Sequence, residues 1–421
     1  IAQCLVGSEM CIRDSSYTDA ICMLPYKNEE EAIVSGYFEK ECYEQIKTLC
    51  SMKKFENSSV RIMPDCHAGK GCVVGFTAKI NDFAIPNVIG VDINCSVSIY
   101  KLDAKEINYE KLDEIIRKYV PSGLSVRNKI SELVSQDLKD KIYKVCEDID
   151  DINSYQRHLL SIGSLGGGNH YLAIECDSQG NNWLCVHCGS RNFGKKICEY
   201  HQNKAIQYCK NKVEESRKFD LSQILPQDRQ QWIKDHKIEY IPESLSYIEN
   251  EDLDLYVEHM KVAEEFATVN HQVIVHEICS HMGWNVVDSI FTHHNYIEFL
   301  GNREMIIRKG AISAKKGERV IIPLNMKDGS IVGIGKGNEE WNQSAPHGAG
   351  RVLSRGKAKS VLSVEEFQDK MKDVWSSCVS ESTLDESPMA YKDMNVIIDA
   401  IGETVDIVDR IIPIYNFKAQ G

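Results

Sequence analysis

Apolar and polar positions repeat along the chain with two different periods, and the switches between them mark its elements. Residues 29–50 place apolar side chains at helical spacing with charges between them, which predicts a helix. Over 71–100 the pattern changes to short apolar runs, including Val73, Val74, Val88, Ile89 and Val91. Gly, Asn and Pro break these runs, as strands and tight turns require. Helix is predicted again over 104–160, strands at 170–176 and 183–188, and long helices at 193–215 and 253–291. The stretch 216–252 is charged and aperiodic, contains Pro226 and Pro242, and reads as a surface insertion. The C-terminal third mixes strands (304–308, 318–323, 331–334) with helices (364–377, 392–409). Segments rich in chemistry are spread over the whole length, which points to a single large α+β domain with mixed sheets surrounded by helices.

Composition narrows the class. Of 421 residues, 43% are hydrophobic and 26% charged, as in an ordinary globular core. The net charge of −13 is the wrong sign for bulk attraction to nucleic acid, so any such contact must come from a local basic patch or a metal site. No stretch approaches the ~18 consecutive apolar residues of a membrane span. The 16 cysteines, read without a secretory signal, are expected to be reduced thiols in a cytoplasmic protein. Residues 1–16 read as a non-native segment, with the native chain expected from about Tyr17 onward.

Candidate chemistry collects where Gly, His, Asp, Cys and Asn crowd together at element ends. Asp92 and Cys95 stand three apart in a turn after an apolar run. That spacing can aim a carboxylate and a thiolate at shared divalent ions, although a turn Asp beside a buried Cys gives the same pattern. His170 follows a glycine-rich turn, His187 ends a strand, and His294 follows a predicted long helix. Each alone also fits an ordinary structural histidine, but neutral imidazoles are common metal ligands. His347, between Pro346 and Gly348-Ala349-Gly350-Arg351, is a candidate nucleophile. Small neighbours admit a phosphate, an imidazole nitrogen can form a phosphoramidate, and Arg351 can neutralise phosphate charge. An incidental histidine in a glycine-rich turn is the alternative.

Other patterns fail on spacing. His276 and His281 are one residue too far apart for a zinc-protease helix, since five residues rotate by ~140°. Cys185 and Cys188 form a lone CxxC without a second pair. Gly69-Lys70-Gly71 and 163–168 are glycine-rich but lack the ending of a phosphate-binding P-loop.

Taken together, MPDCHAGKG (63–71), GVDINC (90–95), SLGGGNH (164–170), HCGSR (187–191), HHN (293–295), RKGA (308–311) and SAPHGAGR (344–351) resemble the RtcB family of RNA-splicing and RNA-repair ligases. The resemblance covers roughly residues 17–421. It implies an RtcB-like domain with a central metal and nucleotide cleft, two Mn²⁺ ions and GTP. Asp92, Cys95, His170, His187 and His294 match the family's metal ligands, with Cys95 bridging, and His347 matches the guanylylated histidine. Asn169, Asn295, Pro323, Leu324, Asn325, Met326, Ser330, Gly348, Ala349, Gly350, Tyr391 and Lys418 match nucleotide contacts. Arg191, Lys309 and Arg351 are candidates for phosphate or RNA contact.

The implied substrates are RNA ends bearing a 3′-phosphate or 2′,3′-cyclic phosphate and a 5′-hydroxyl, with archease as a possible activating partner. A cyclic phosphodiesterase or a nucleotidyltransferase without ligation is the alternative reading. The chain departs from the family's Asp-Ile-Gly-Cys-Gly at Asn94 and Ser96, and its Pro-Gly-Ser-Met turn becomes Pro323-Leu324-Asn325-Met326. Where an acidic residue usually recognises guanine stands Ala173, with Glu175 on the same strand face.

Overall fold

Seven strands form the larger sheet of the computed structural model, which describes residues 21–22, 40–56, 58–235 and 241–418. Their order is Arg319–Asn325, Gly329–Gly335, Val405–Lys418, Tyr171–Cys176, Asn182–Cys188, Ser96–Leu102 and Val286–His293. Every neighbouring pair is antiparallel. A five-stranded sheet runs Ile21–Cys22, Ser59–His67, Val74–Asn81, Glu304–Lys309 and Asn295–Gly301, and its first pair is parallel. The expected α+β architecture is the one observed, with the five-stranded sheet mixed and the larger one antiparallel throughout.

Register in the larger sheet decides what its rim carries. Tyr171 and Val97 both pair with His187, while Ser96 pairs with Cys188 on one side and His293 on the other. Four adjacent strands therefore deliver Cys95, His170, His187 and His294 to the same end. Nothing but the antiparallel ladder is needed to collect residues so distant in sequence.

Two helices of 33 residues, Arg191–Gln223 and Asn250–Met282, pack together beside the sheets, each about 50 Å long at the usual rise. Phe193 and Phe266 stack between them with ring centroids 5.2 Å apart. The first helix extends well into 216–252, and Leu245, Ser246, Tyr247 and Ile248 are buried, so the end of that stretch belongs to the core and not to a surface insertion. Ile248–Glu249 pairs with Phe83–Ala84.

Several predicted boundaries shift for identifiable reasons. The helix predicted over 253–291 stops at Met282 because Gly283 takes a left-handed conformation (φ 76°). Val286–His293 is then a strand, since Val286, Val287, Ile290 and Phe291 satisfy either period and the neighbouring strand supplies hydrogen bonds. Likewise 392–409 divides into a short helix, Met394–Ala400, and the start of strand Val405–Lys418. Helix 364–377 ends at Lys370. Val88 and Ile89 lie in a helical turn, Pro86–Ile89, instead of a strand. The 104–160 region holds three helices, Tyr109–Tyr119, Gln136–Asp148 and Tyr155–Ser161. The helix predicted over 29–50 is present as Lys40–Cys50, while 29–39 and the segment 1–16 lie outside the described residues.

No helix among the described residues is long and apolar enough to cross a membrane. Cys185 and Cys188 sit in one strand and join different apolar clusters, so their spacing builds no joint site.

Candidate active site

The strand ends converge on one thiol. Cys95 Sγ lies 3.3 Å from His187 Nε2 and 3.5 Å from His170 Nε2. These three ligand atoms are within 4.8 Å of one another, and all three residues are buried. His170 Nδ1 donates to the Leu165 carbonyl at 2.8 Å, which turns its Nε2 toward the cluster. That nitrogen faces Asp92 Oδ2 at 3.1 Å. A proton or a cation between the two would satisfy both. His294 completes the row, with its ring centroid 5.3 Å from that of His187. Its backbone N–H donates to the Cys95 carbonyl at 3.0 Å, while its Nδ1 is buried without a partner.

Electrostatics agree with a cation site. Burial, reinforced by neighbouring imidazoles, holds His187 and His294 well below the ordinary histidine range, so both rings are neutral donors. Burial and then the Asp92 charge push the Cys95 thiol well up, a balance that a divalent cation inverts by taking the thiolate. At Asp92 burial acts upward, but the His170 contact and the Arg191 charge outweigh it and leave the carboxyl below its usual value. An orphaned imidazole nitrogen, facing acceptors and a thiol among neutral imidazoles fit a transition-metal centre.

His347 stands next in line, with its ring centroid 4.8 Å from that of His294. It follows the short strand Ser344–Pro346, which pairs with Ala311–Ser313. The smaller sheet supplies its partner: His347 Nδ1 lies 2.6 Å from Asp65 Oδ2, and the same oxygen accepts the His347 backbone N–H at 3.2 Å. Asp65 is wholly buried. Two glycines permit this approach. A Cβ on Gly310 would come within 3.1 Å of the His347 ring, and one on Gly350 would meet the Asp65 carbonyl at 2.2 Å. Both also have positive φ.

Beside His347 and His187 opens a cavity of about 410 Å³. Asn169, Pro323–Met326 at the end of strand Arg319–Asn325, Gly348–Gly350, Tyr391 and Lys418 line it. Lys418 donates to the Asn169 carbonyl at 2.8 Å and lies over the Tyr171 ring.

Other expected contacts stand elsewhere. Asn295 braces the turn instead, donating to the Asp92 carbonyl at 3.0 Å and accepting the Gly310 N–H at 2.9 Å. Ser330 is fully buried, behind the cavity wall. The Lys309 ammonium is enclosed by the carbonyls of Lys70, Cys72 and Asn87, so it ties three loops together and is not presented to a phosphate. Arg191 donates to Ser164 Oγ at 3.2 Å and to the Gly123 carbonyl at 3.0 Å, outside the cavity lining. Arg351 does line the cavity, but its donors meet Leu353, Asp385, Glu386 and Tyr391, which leaves no free fork for phosphate. Ala173 is core, and Glu175 is buried with one carboxylate oxygen unpartnered, neither of them lining the cavity.

Sequence reasoning passed over Asp65, although it lies within the segment 63–71, because only the fold shows it against a histidine 282 residues away. It also passed over His67, Arg355 and Glu386, all of which line the cavity.

A profile of the family described as "tRNA-splicing ligase RtcB" matches residues 45–419. The chain is 29% identical over 387 residues to the "RNA-splicing ligase RtcB" of Escherichia coli (strain K12), covering 83% of this chain and 87% of that protein. It is 26% identical over 471 residues to the "tRNA-splicing ligase RtcB" of Methanococcus maripaludis, covering 91% and 92%.

Proposed function

The chain belongs to the RtcB family, and from that premise we propose that it is an RNA ligase joining 3′-phosphate or 2′,3′-cyclic phosphate ends to 5′-hydroxyl ends with GTP. The observation that carries the reading is the placement of His347. Its ring lies between the buried Asp65 carboxylate and His294, at a cavity whose wall includes Asn169, Tyr391 and Lys418.

In this reading Asp65 accepts the His347 Nδ1 proton in a hydrogen bond and keeps Nε2 free to attack. Nε2 forms a bond to the α-phosphorus of GTP as the bond to pyrophosphate breaks. The oxyanion of an RNA 3′-phosphate then attacks that phosphorus, the N–P bond breaks, and an RNA end carrying a diphosphate-linked guanosine results. The 5′-hydroxyl of the second RNA attacks the 3′-phosphorus, loses its proton, and expels GMP. Asp92, Cys95, His170, His187 and His294 would hold two Mn²⁺ ions, which when bound offset the charge developing on the transferred phosphate. The backbone of Gly348–Gly350 offers N–H groups to phosphate oxygens. Archease is the proposed activating partner.

A second reading concerns the nucleotide. Neither Ala173 nor Glu175 lines the cavity, so no acidic group of that strand meets a base, which favours relaxed selection of guanine or a reaction that stops short of joining. Labelled GTP and ATP, each with Mn²⁺, Co²⁺ or Zn²⁺, test both readings. An acid-labile adduct from GTP that is lost in His347→Ala, together with joining of a cyclic-phosphate RNA, supports ligation. Absence of an adduct with every metal, or ring opening without joining, overturns it.

A further inference from the structure

One carboxylate in the cavity wall is saturated by donors from three separate parts of the chain. Glu386 ends a short 3-10 helix, Glu381–Glu386, and its side chain is 3% exposed. Oε1 accepts from Arg355 Nη1 at 2.5 Å and Arg351 Nη1 at 3.2 Å. Oε2 accepts from the Tyr391 hydroxyl at 2.6 Å and the Lys418 ammonium at 2.8 Å. Four donors on two oxygens use all the lone pairs a carboxylate has. All five residues line the same cavity as His347.

The arrangement has an electrostatic logic. The buried Lys418, the mostly buried Arg351 and the half-exposed Arg355, which also pairs with Asp385, repel one another, and the Glu386 carboxylate between them offsets that repulsion. The charges of Lys418 and Arg355 and the hydrogen bonds of Lys418 and Tyr391 overcome burial and hold the Glu386 carboxyl at about 2, so it stays charged. The Arg351 guanidinium also lies over the Tyr391 ring, 5.1 Å from its centroid, which fixes the ring from a second direction. Neither the metal-ligand set nor the His347–Asp65 pair involves Glu386.

We propose that Glu386 is a positioning residue for the nucleotide: its two oxygens fix the Tyr391 ring and the Lys418 ammonium on the cavity wall, so that the pocket is formed before a nucleoside triphosphate enters. This rests on reading the cavity as the nucleotide site. Preformed side chains lower the ordering cost of binding, and that gain is made equally in ground and transition states. Loss of Glu386 therefore acts on capture of the nucleotide and not on the bond-making step.

The test compares wild type, Glu386→Gln, Tyr391→Phe and the double variant, with GTP affinity read by calorimetry and adduct formation by its KM and kcat. Glu386→Gln keeps the shape and removes the charge. It should weaken GTP binding and raise KM by about tenfold or more, with kcat within about threefold. Because Glu386 acts partly through the Tyr391 hydroxyl, the double variant should fall short of the product of the single effects. Unchanged affinity in Glu386→Gln, or tighter GTP binding, overturns the proposal, the latter by showing that the carboxylate competes with the ligand. Should Glu386→Gln fail to fold, Glu386→Asp retains the charge but shortens the reach, and a raised KM supports the proposal while an unchanged KM overturns it. Calorimetric affinity needs no adduct. A wild type that binds GTP without forming one thus counts against the ligase reading and leaves Glu386 testable by binding alone.

Discussion

His347 Nδ1 and Asp65 Oδ2 lie 2.6 Å apart, with the carboxylate wholly buried and reached from a different sheet. This contact selects a tautomer: with Nδ1 carrying the proton, Nε2 is the nitrogen left with a lone pair. Asp65→Asn would preserve shape but offer the wrong group to Nδ1 in one of its two orientations. The rate of adduct formation from GTP should drop by about 10²–10⁴-fold. A rate within threefold of wild type would remove Asp65 from the mechanism.

Divalent cations should stabilise the fold through the cluster around Cys95. Ions that bind only the folded state raise the melting temperature with concentration. Mn²⁺ added to metal-stripped protein is expected to raise it, and Cys95→Ala should abolish most of that rise, since Sγ faces both His170 and His187. Elemental analysis of the purified protein gives the number of ions held. Equal melting shifts in wild type and variant would show that the ions bind elsewhere.

Glu175 gives a signed dependence on alkaline pH. Burial pushes its carboxyl up to about 8 from an ordinary value of 4.5. A raised folded value means that its contribution is fully present below 4.5 and is lost as pH climbs through about 8. Glu175→Gln should melt close to wild type near pH 4.5 and increasingly above it as pH rises toward 9, where the native carboxyl must ionise in the core. Parallel melting curves across that range would contradict the assignment.

His201 acts at the acid side. Burial, then the charge of His259, lowers it to about 3 from 6.5. Its Nε2 and His259 Nδ1 are 3.0 Å apart, and His259 in turn faces Asp148 at 3.4 Å. Lys204 and the Tyr200 and Tyr256 rings also face His201. With a depressed folded value, the contribution is whole above 6.5 and is lost as pH falls from there toward about 3. His201→Gln should flatten the fall of melting temperature over that interval. His271, also lowered to about 3 by burial, supplies slope that remains.

The residues that meet around Cys95 stand out in the sequence because each sits beside a glycine, asparagine or strand end, while their reading as ligands rests on the family resemblance. Residues 323–326 and Gly348-Ala349-Gly350 stand out for the same reason, and both line the cavity. Two cations were not legible: the charge of Lys309 is plain in the sequence, but the three carbonyls that enclose it come from Lys70, Cys72 and Asn87. Arg351 was misread in the same way, because its partners near 385–386 give no local signal. In the fold, Val286, Val287 and Ile290 suit either period, and only the neighbouring strand 96–102 decides between them.

The row of strand ends has an unequal hold on its members. Strands 96–102, 171–176 and 182–188 are flanked on both sides, whereas Val286–His293 is the margin of its sheet, laddered to one neighbour. Amide protection should therefore fade first along that margin, up to the backbone bonds by which Cys95, Gly310 and Ala311 hold His294. In the proposed metal site, exchange of an ion shared with His294 would then wait only on the opening of these few bonds, a local event that leaves the rest of the molecule folded.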